Sequence, residues 1–323
     1  MKRFFLFLIF PFCIKGQFAP AAGQPGSTAI KKDSSIIVNW ANACEITRGY
    51  QDISNTGLGL TTVGENTSAI GPADGNQVVS LGDGGQAILN FPQAIRNGPG
   101  FDFCVFENSF DPGFLELAFV EVSSDGINYT RFPATCNVQN TLQIGPFDTS
   151  SDPTKINNLA GKYVAHYGVP FDLQELAGSI GLDLENITHV KLIDVVGCIQ
   201  PQYARYDKNN NIINDLWSTP FPSSGFDLDA VGVIHQKPVG LNENIEQNKV
   251  KMFYNSSDKN IVLSLNEVLA GEIQVISLTG AICKREELDS LNQSIALSDL
   301  SDGIYLLKIN TANFSITRKI LVY

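Results

Sequence analysis

The feature that most constrains this chain is a period of two in hydrophobicity, repeated in short runs that Gly, Pro, Asn and Asp interrupt. Side chains on a strand point alternately to its two faces, so such runs suit strands with one face buried. They occur at Ser35–Trp40, Gln77–Leu81, Gln86–Phe91, Asp102–Glu107, Leu117–Ser123, Asn128–Phe132, His189–Val195 and Asp229–His235. Gly82-Asp83-Gly84-Gly85 stands between the second and third runs and predicts a hairpin turn. One short helical candidate, Asp172–Leu176, has Asp172 as a cap and Gly178 as a stop. Residues 139–161, with Gly145-Pro146, Asp152-Pro153 and Asn157-Asn158, read as a long loop. The spacing of strands and turns predicts an all-β fold, a jelly-roll β-sandwich.

The alternation lapses from residue 237 to residue 248, a polar stretch with Asn242-Glu243-Asn244, and then returns. A chain of 323 residues exceeds the size at which one core keeps growing, so two domains are expected. The expected order is a signal peptide at 1–16, a jelly-roll domain at 17–236, a linker at 237–248, and a small immunoglobulin-like sandwich at 249–323. The signal peptide rests on Lys2-Arg3, the apolar run Phe4–Ile14, and Gly16 before the expected cleavage. That run falls well short of the ~20 residues that span a bilayer, and no later run is long and apolar enough. A secreted or outer-surface location without a transmembrane segment is expected.

Charge is uneven. Gln17–Asn248 carries 25 acidic and 11 basic residues, whereas the stretch from Lys249 onward carries eight of each. Phosphate backbones demand clustered Lys and Arg, so nucleic acid is excluded as a partner of the first domain, and cations or neutral ligands are favoured. Cys44, Cys104, Cys136, Cys198 and Cys283 follow the leader, none with CxxC spacing. Disulfides among the first four and free buried thiols are both open, and Cys283 is the odd one left over.

Near the end of the chain stand Val275–Gly280, Ile295–Leu300, Ser301–Ile309 and Thr317–Val322. In that order and spacing they resemble the C-terminal sorting domain of type IX secretion in Bacteroidetes. The family's usual Tyr-Pro-Asn-Pro opening is replaced by Phe253-Tyr254-Asn255-Ser256-Ser257. The resemblance implies translocation across the outer membrane and the type IX machinery as partner. Ser80–Gly85, Asn97–Phe103, Val105–Asn108, Glu116–Gly126 and Gly225–Val231 resemble a bacterial cell-surface jelly roll of unknown role. The Val120–Gly126 piece also looks like discoidin and galactose-binding-like jelly rolls, and neither likeness implies a reaction.

For a metal, the best candidate is Asp207–Asp215. Asp207, Asn209, Asn211 and Asp215 set oxygens at alternate positions as a calcium loop does, with the Ile213 carbonyl between. Ile212 replaces the turn Gly, so Asp227 and Asp229 are expected to complete the set. Glu107 and Asn108, at a strand end, are candidate ligand contacts, beside Asp102 and Glu121. Tyr203, Tyr206 and Trp217 bracket the loop and offer ring faces for sugar stacking, unless Trp217 anchors the core. His166, His189 and His235 are isolated, and the chain holds no HExxH and no Gly-x-Ser-x-Gly. The expectation is a non-catalytic, calcium-stabilised binding or adhesion module, with glycans among its ligands. A hydrolase of polysaccharide or ester on the same sandwich, or a purely structural surface component, are the alternatives.

Overall fold

The computed structural model describes residues 18–238, 250–255, 258–265, 270–311 and 315–323. The leader at 1–16 and nearly all of the linker lie outside the described residues. The chain divides into two compact units, Met1–Pro238 and Val239–Tyr323.

The first unit is built from β1 (Ile30–Lys31), β2 (Asn39–Trp40), β3 (Ala43–Thr47), β4 (Val79–Ser80), β5 (Gln86–Ile95), β6 (Phe103–Glu107) and β7 (Ala118–Ser123). There follow β8 (Thr130–Arg131), β9 (Thr135–Cys136), β10 (Ile156–Asn157), β11 (Leu159–Ala160), β12 (Tyr167–Phe171), β13 (Ile187–Asp194) and β14 (Asp227–Val233). Eight of these form two antiparallel sheets, in the orders β4-β14-β6-β12 and β5-β13-β7-β11. The chain passes between sheets at almost every step, and each sheet pairs early strands with late ones. That is the wiring of a jelly roll. β1 and β2 extend the first sheet, and β3 and β8 extend the second.

Phe103, Phe132 and Phe171 meet between the sheets with ring centroids 5.0–5.9 Å apart. Leu89, Val105, Val120, Val190, Leu192 and Val231 complete the same core. β6, β7 and β14 are buried on both faces, because Trp40, Phe106 and Ala230 pack in one outer layer and Leu117, Phe119 and Ile156 in another. A bulge between Leu228 and Ala230 moves β14 from one face to the other.

Three sequence expectations change. The Gln77–Phe91 hairpin is not one: β4 pairs with β14, and β5 pairs with β3 and β13. Its Gly-rich segment instead carries the chain across the sandwich in a space too tight for side chains. A Cβ on Gly85 would lie 1.9 Å from the Leu81 carbonyl oxygen. The 139–161 stretch is no simple loop, since it holds the edge strand β11, whose two residues pair with β7. The Asp172 candidate is a single 3-10 turn, Leu173–Leu176, capped by the Asp172 carboxylate at the Gln174 N–H.

The second unit holds β15 (Val250–Asn255), β16 (Asn260–Leu265), β17 (Gly271–Ser277), β18 (Ile282–Leu288), β19 (Asn292–Ala296), β20 (Gly303–Thr311) and β21 (Ser315–Val322). Sheets β15-β16-β19 and β18-β17-β20-β21, antiparallel throughout, close over Ile261, Leu263, Val275, Ile295, Leu307 and Ile309. This is a seven-stranded immunoglobulin-like sandwich. No helix among the described residues is long and apolar enough to cross a membrane.

All five cysteines among the described residues are free, four of them buried and Cys283 exposed. Burial pushes the Cys44 thiol up to about 12 and the Cys136 thiol to about 11.

Candidate functional site

Four loops gather at one end of the roll: residues 81–85, 108–117, 161–166 and 195–226. Buried carboxylates knit them together. Asp194, ending β13, accepts from the N–H groups of Gly84, Val196 and Phe226 at 2.8–2.9 Å. Asp215 accepts from Leu117 N–H at 2.7 Å. Asp83 accepts from Ile53 N–H and from the Trp217 indole at 2.8 and 3.2 Å. Burial outweighs these bonds and raises Asp194 to about 6, while burial plus the Asp194 charge raises Asp83 to about 7.

A cavity of about 200 Å³ opens among the same loops. Its polar walls are Asn108, Ser109, Glu116, Thr219, Ser223 and Asp227. Ser80 donates to Asp227, one strand away on β4. Glu107 stands directly behind Asn108 and is 1 % exposed. Its Oε2 accepts from Ser109 N–H at 2.9 Å, while its Oε1 has no hydrogen-bond partner. Burial drives Glu107 and Glu116 well above the usual carboxylate range, and the Asp227 charge adds to both. Asp227 is itself raised by burial.

The rim is aromatic. Phe110 and Phe114 pair at 4.6 Å between ring centroids, and Phe147 pairs with Phe221 at 5.7 Å. Three proline turns present them. Asp111-Pro112-Gly113-Phe114 closes with Phe114 N–H on the Asp111 carbonyl at 3.0 Å. Gly145-Pro146-Phe147-Asp148 and Phe221-Pro222-Ser223-Ser224 close in the same way, each at 3.1 Å. Proline at the second position pre-sets the turn, so little chain entropy is lost in holding the rings outward. Phe110 and Phe147 remain 75 % and 72 % exposed.

The candidate residues from sequence fare unequally. Asn108 and Asp227 line the cavity, whereas Glu107 is buried and is not part of its lining. Asp229 lies nearby on β14, but its carboxylate accepts from the Asp74 and Gly75 N–H groups at 3.2 and 3.0 Å. Asp102, just before β6 and so at the opposite end from Glu107, pairs with His235 at 2.8 Å. Glu121 bridges Arg131 and Lys191 at 2.8 Å.

The expected calcium set does not assemble. Asp207 accepts from the N–H groups of Cys136, Asn209 and Asn211 and from the Asn211 amide, at 2.8–3.0 Å, so donors occupy both its oxygens. Burial alone would raise Asp207, but these bonds together hold it below its ordinary value. Ile213 is packed with Leu115, Leu117 and Val195, and Asp215 is committed to Leu117. Among the described residues no three His, Cys, Asp or Glu side chains are placed to hold a metal. Trp217, 9 % exposed, packs on Tyr203, with centroids 6.3 Å apart, and offers no free ring face; Tyr206 is exposed on the Asp207 loop.

Sequence reasoning missed Glu116 and the four phenylalanines. The signal was present as Pro followed within two residues by Phe in Asp111–Phe114 and Gly145–Phe147, and as Phe-Pro in Phe221-Pro222.

No curated protein matches the chain. Among solved structures it is similar to the BSP domain of a biofilm-associated protein, at 10 % identity and a TM-score of 0.20, covering 87 % of this chain and 52 % of that one. A β-glucuronidase of Ruminococcus gnavus in complex with uronic isofagomine gives 8 % identity and 0.23, covering 96 % and 46 %. The Lactobacillus rhamnosus β-glucuronidase gives 8 % and 0.21, covering 87 % and 44 %. The chain thus spans about half the length of the structures it matches, and likenesses this distant carry no argument about function. The second unit is different. Residues 251–323, the sandwich of β15–β21, match the model of the secretion system C-terminal sorting domain, which supports export of the chain by secretion or to the outer surface.

Proposed function

We propose that the chain is an exported, non-catalytic binding module whose first unit takes a glycan in the cavity at the loop end of the roll. The observation that carries this is the pairing of polar walls with two phenylalanine pairs on one concave surface. Sugar rings present hydroxyls at their edges and apolar C–H faces, and such a surface answers both. The acidic balance of the unit agrees with a neutral or cationic ligand. A glycan array probed with the full chain tests it. Binding that is weakened about tenfold by Phe110→Ala or Phe147→Ala is expected, since one stacking ring contributes about 1 kcal/mol or more. An array without hits, or hits untouched by both variants, would overturn it.

One observation favours a second reading, hydrolysis. Two buried carboxyls, Glu116 and Asp227, line the one cavity, and a pair of carboxyls is what glycoside hydrolysis uses. Release of reducing ends from a bound glycan, abolished in Glu116→Gln, would move the assignment to an enzyme. Calcium stabilisation of the same unit is tested by melting in millimolar calcium against chelator, where an ion that binds only the folded state raises the midpoint. The hydrogen bonds on Asp207 argue against the 207–215 loop as its seat.

A further inference from the structure

We infer that the cavity is a subsite for the acetamido group of an N-acetylated sugar, and that Glu116 is the residue that selects it. The inference rests on the glycan reading above and names the sugar class.

The first observation is a polar group left open. Glu116 lines the cavity, is only 8 % exposed, and makes no side-chain hydrogen bond or ion pair among the described residues. Its oxygens are not sealed as Glu107 Oε1 is, so they give onto the cavity. A buried polar group is costly unless a partner reaches it, and the cavity is the side from which one can.

The second observation is that the rest of the polar lining is largely spent. Ser80 and the Asn108 side chain bond to Asp227. The Ser109 hydroxyl donates to the Asp111 and Phe114 carbonyls, and the Thr219 hydroxyl lies 2.8 Å from that of Ser224. Glu116 and the remaining lone pairs of Asp227 therefore face walls of Phe110, Phe114, Pro146, Phe147 and Phe221. A pyranose ring inside would bring several hydroxyls that this lining cannot partner. An acetamido group brings one acceptor, one donor and a methyl.

Glu116 meets it as an uncharged acid. Burial holds its proton, and the charges of Asp227, Glu107, Asp215 and Asp194 hold it further, with no Lys, Arg or His in the lining to offset them. The acid O–H donates to the acetamido carbonyl, the acetamido N–H donates to Asp227, and the methyl packs on the phenylalanine rings. In a trans amide the N–H and C=O point in opposite directions, so two acids on different elements suit it better than one. Glu116 comes from the 108–117 loop and Asp227 from β14. At about 200 Å³ the cavity falls below the ~300 Å³ at which sites for drug-sized ligands begin, which leaves the sugar ring itself for the aromatic rim.

Titration calorimetry of the full chain at neutral pH tests the inference with three probes of equal length: an N-acetylglucosamine trimer, a glucosamine trimer and a glucose trimer. The acetylated trimer is expected to bind about tenfold or more tightly than either of the others. Glu116→Ala should bring the three within about threefold of one another, and Glu116→Leu serves in its place if that variant fails to melt cooperatively. Glu116→Gln should keep the preference within about threefold of the parent's, because an amide N–H donates from the same place. Equal binding of the three trimers by the parent, or tighter binding of either unacetylated one, overturns the acetamido subsite and leaves the glycan site standing. A preference that survives Glu116→Ala, or that is lost in Glu116→Gln, overturns the donor role of Glu116. Failure of all three trimers overturns the inference, and a blank glycan array beside it overturns the glycan reading as well.

Discussion

At the scale of single residues, the loop end of the roll is dominated by carboxyls that folding has removed from water. Asp83 is raised to about 7, Asp194 to about 6 and Asp229 to about 6, each chiefly by burial. Their unfolded values lie near ~4, so between those limits the native state holds more protons than the unfolded chain. Stability from these groups is complete below about pH 4 and is lost as pH rises through 6 and 7. Asp207, held low by its hydrogen bonds, works in the opposite sense, and its contribution is lost as pH falls below ~4. Urea melts should therefore show greatest stability in mild acid, with a decline towards pH 8. Glu107→Gln should flatten the decline between pH 5 and pH 8, because burial holds Glu107 above its ordinary value and an amide at the place of Oε1 cannot ionise. A loss of stability at pH 8 would mean that a donor reaches this oxygen in solution.

At the scale of elements, the cavity depends on how loops are pinned rather than on the strands alone. Gly161, at φ +82°, lies so close to the Glu116 carbonyl that an added Cβ would stand 1.7 Å from its oxygen. Gly161→Ala should thus cost about 2 kcal/mol or more and displace Glu116, which a thermal melt and a loss of ligand binding would both register. The same loops explain what was legible in the sequence. β6, β7 and β13 follow runs visible by alternation, because each contributes one whole face to the core. β11 and β12 were hidden: β11 is two residues long, and β12 carries Pro170 within it. The supposed hairpin failed because a Gly-rich turn between two runs says nothing about which sheet receives the second run. Glu107 and Asn108 stood out as polar residues at a strand end, and Asp227 as a residue to complete a calcium set. Glu116 was not, since only the 108–117 loop brings it back beside Asp227, and loop paths are not encoded in periodicity. The 207–215 pattern has two physical readings. Alternating oxygens also build a turn that closes on its own N–H groups, and Asp207 does that.

For the whole molecule, the sorting-domain match and the cavity fall in different units. Every residue lining the cavity precedes Pro238, and the sorting sandwich has its own core of Ile261, Val275, Ile295 and Leu307. Truncation after Pro238 should leave the melting temperature of the first unit within a few degrees of its value in the full chain. The same truncation should abolish surface display, with the product retained inside the outer membrane. A truncated chain that no longer folds would show that the units support one another. One that still reaches the surface would show that the sorting domain is dispensable for display.

The free thiols described with the fold bear on how such a chain is made and handled. Cys44, Cys104, Cys136 and Cys198 are sealed in apolar surroundings that disfavour the thiolate, whereas Cys283 is open to water. With all five cysteines among the described residues free, reductant should leave the melt unchanged. In the native protein from residue 18 onward a maleimide should modify Cys283 alone, with all five thiols reacting after denaturation. A fluorophore can then be placed on the sorting unit without touching the jelly roll.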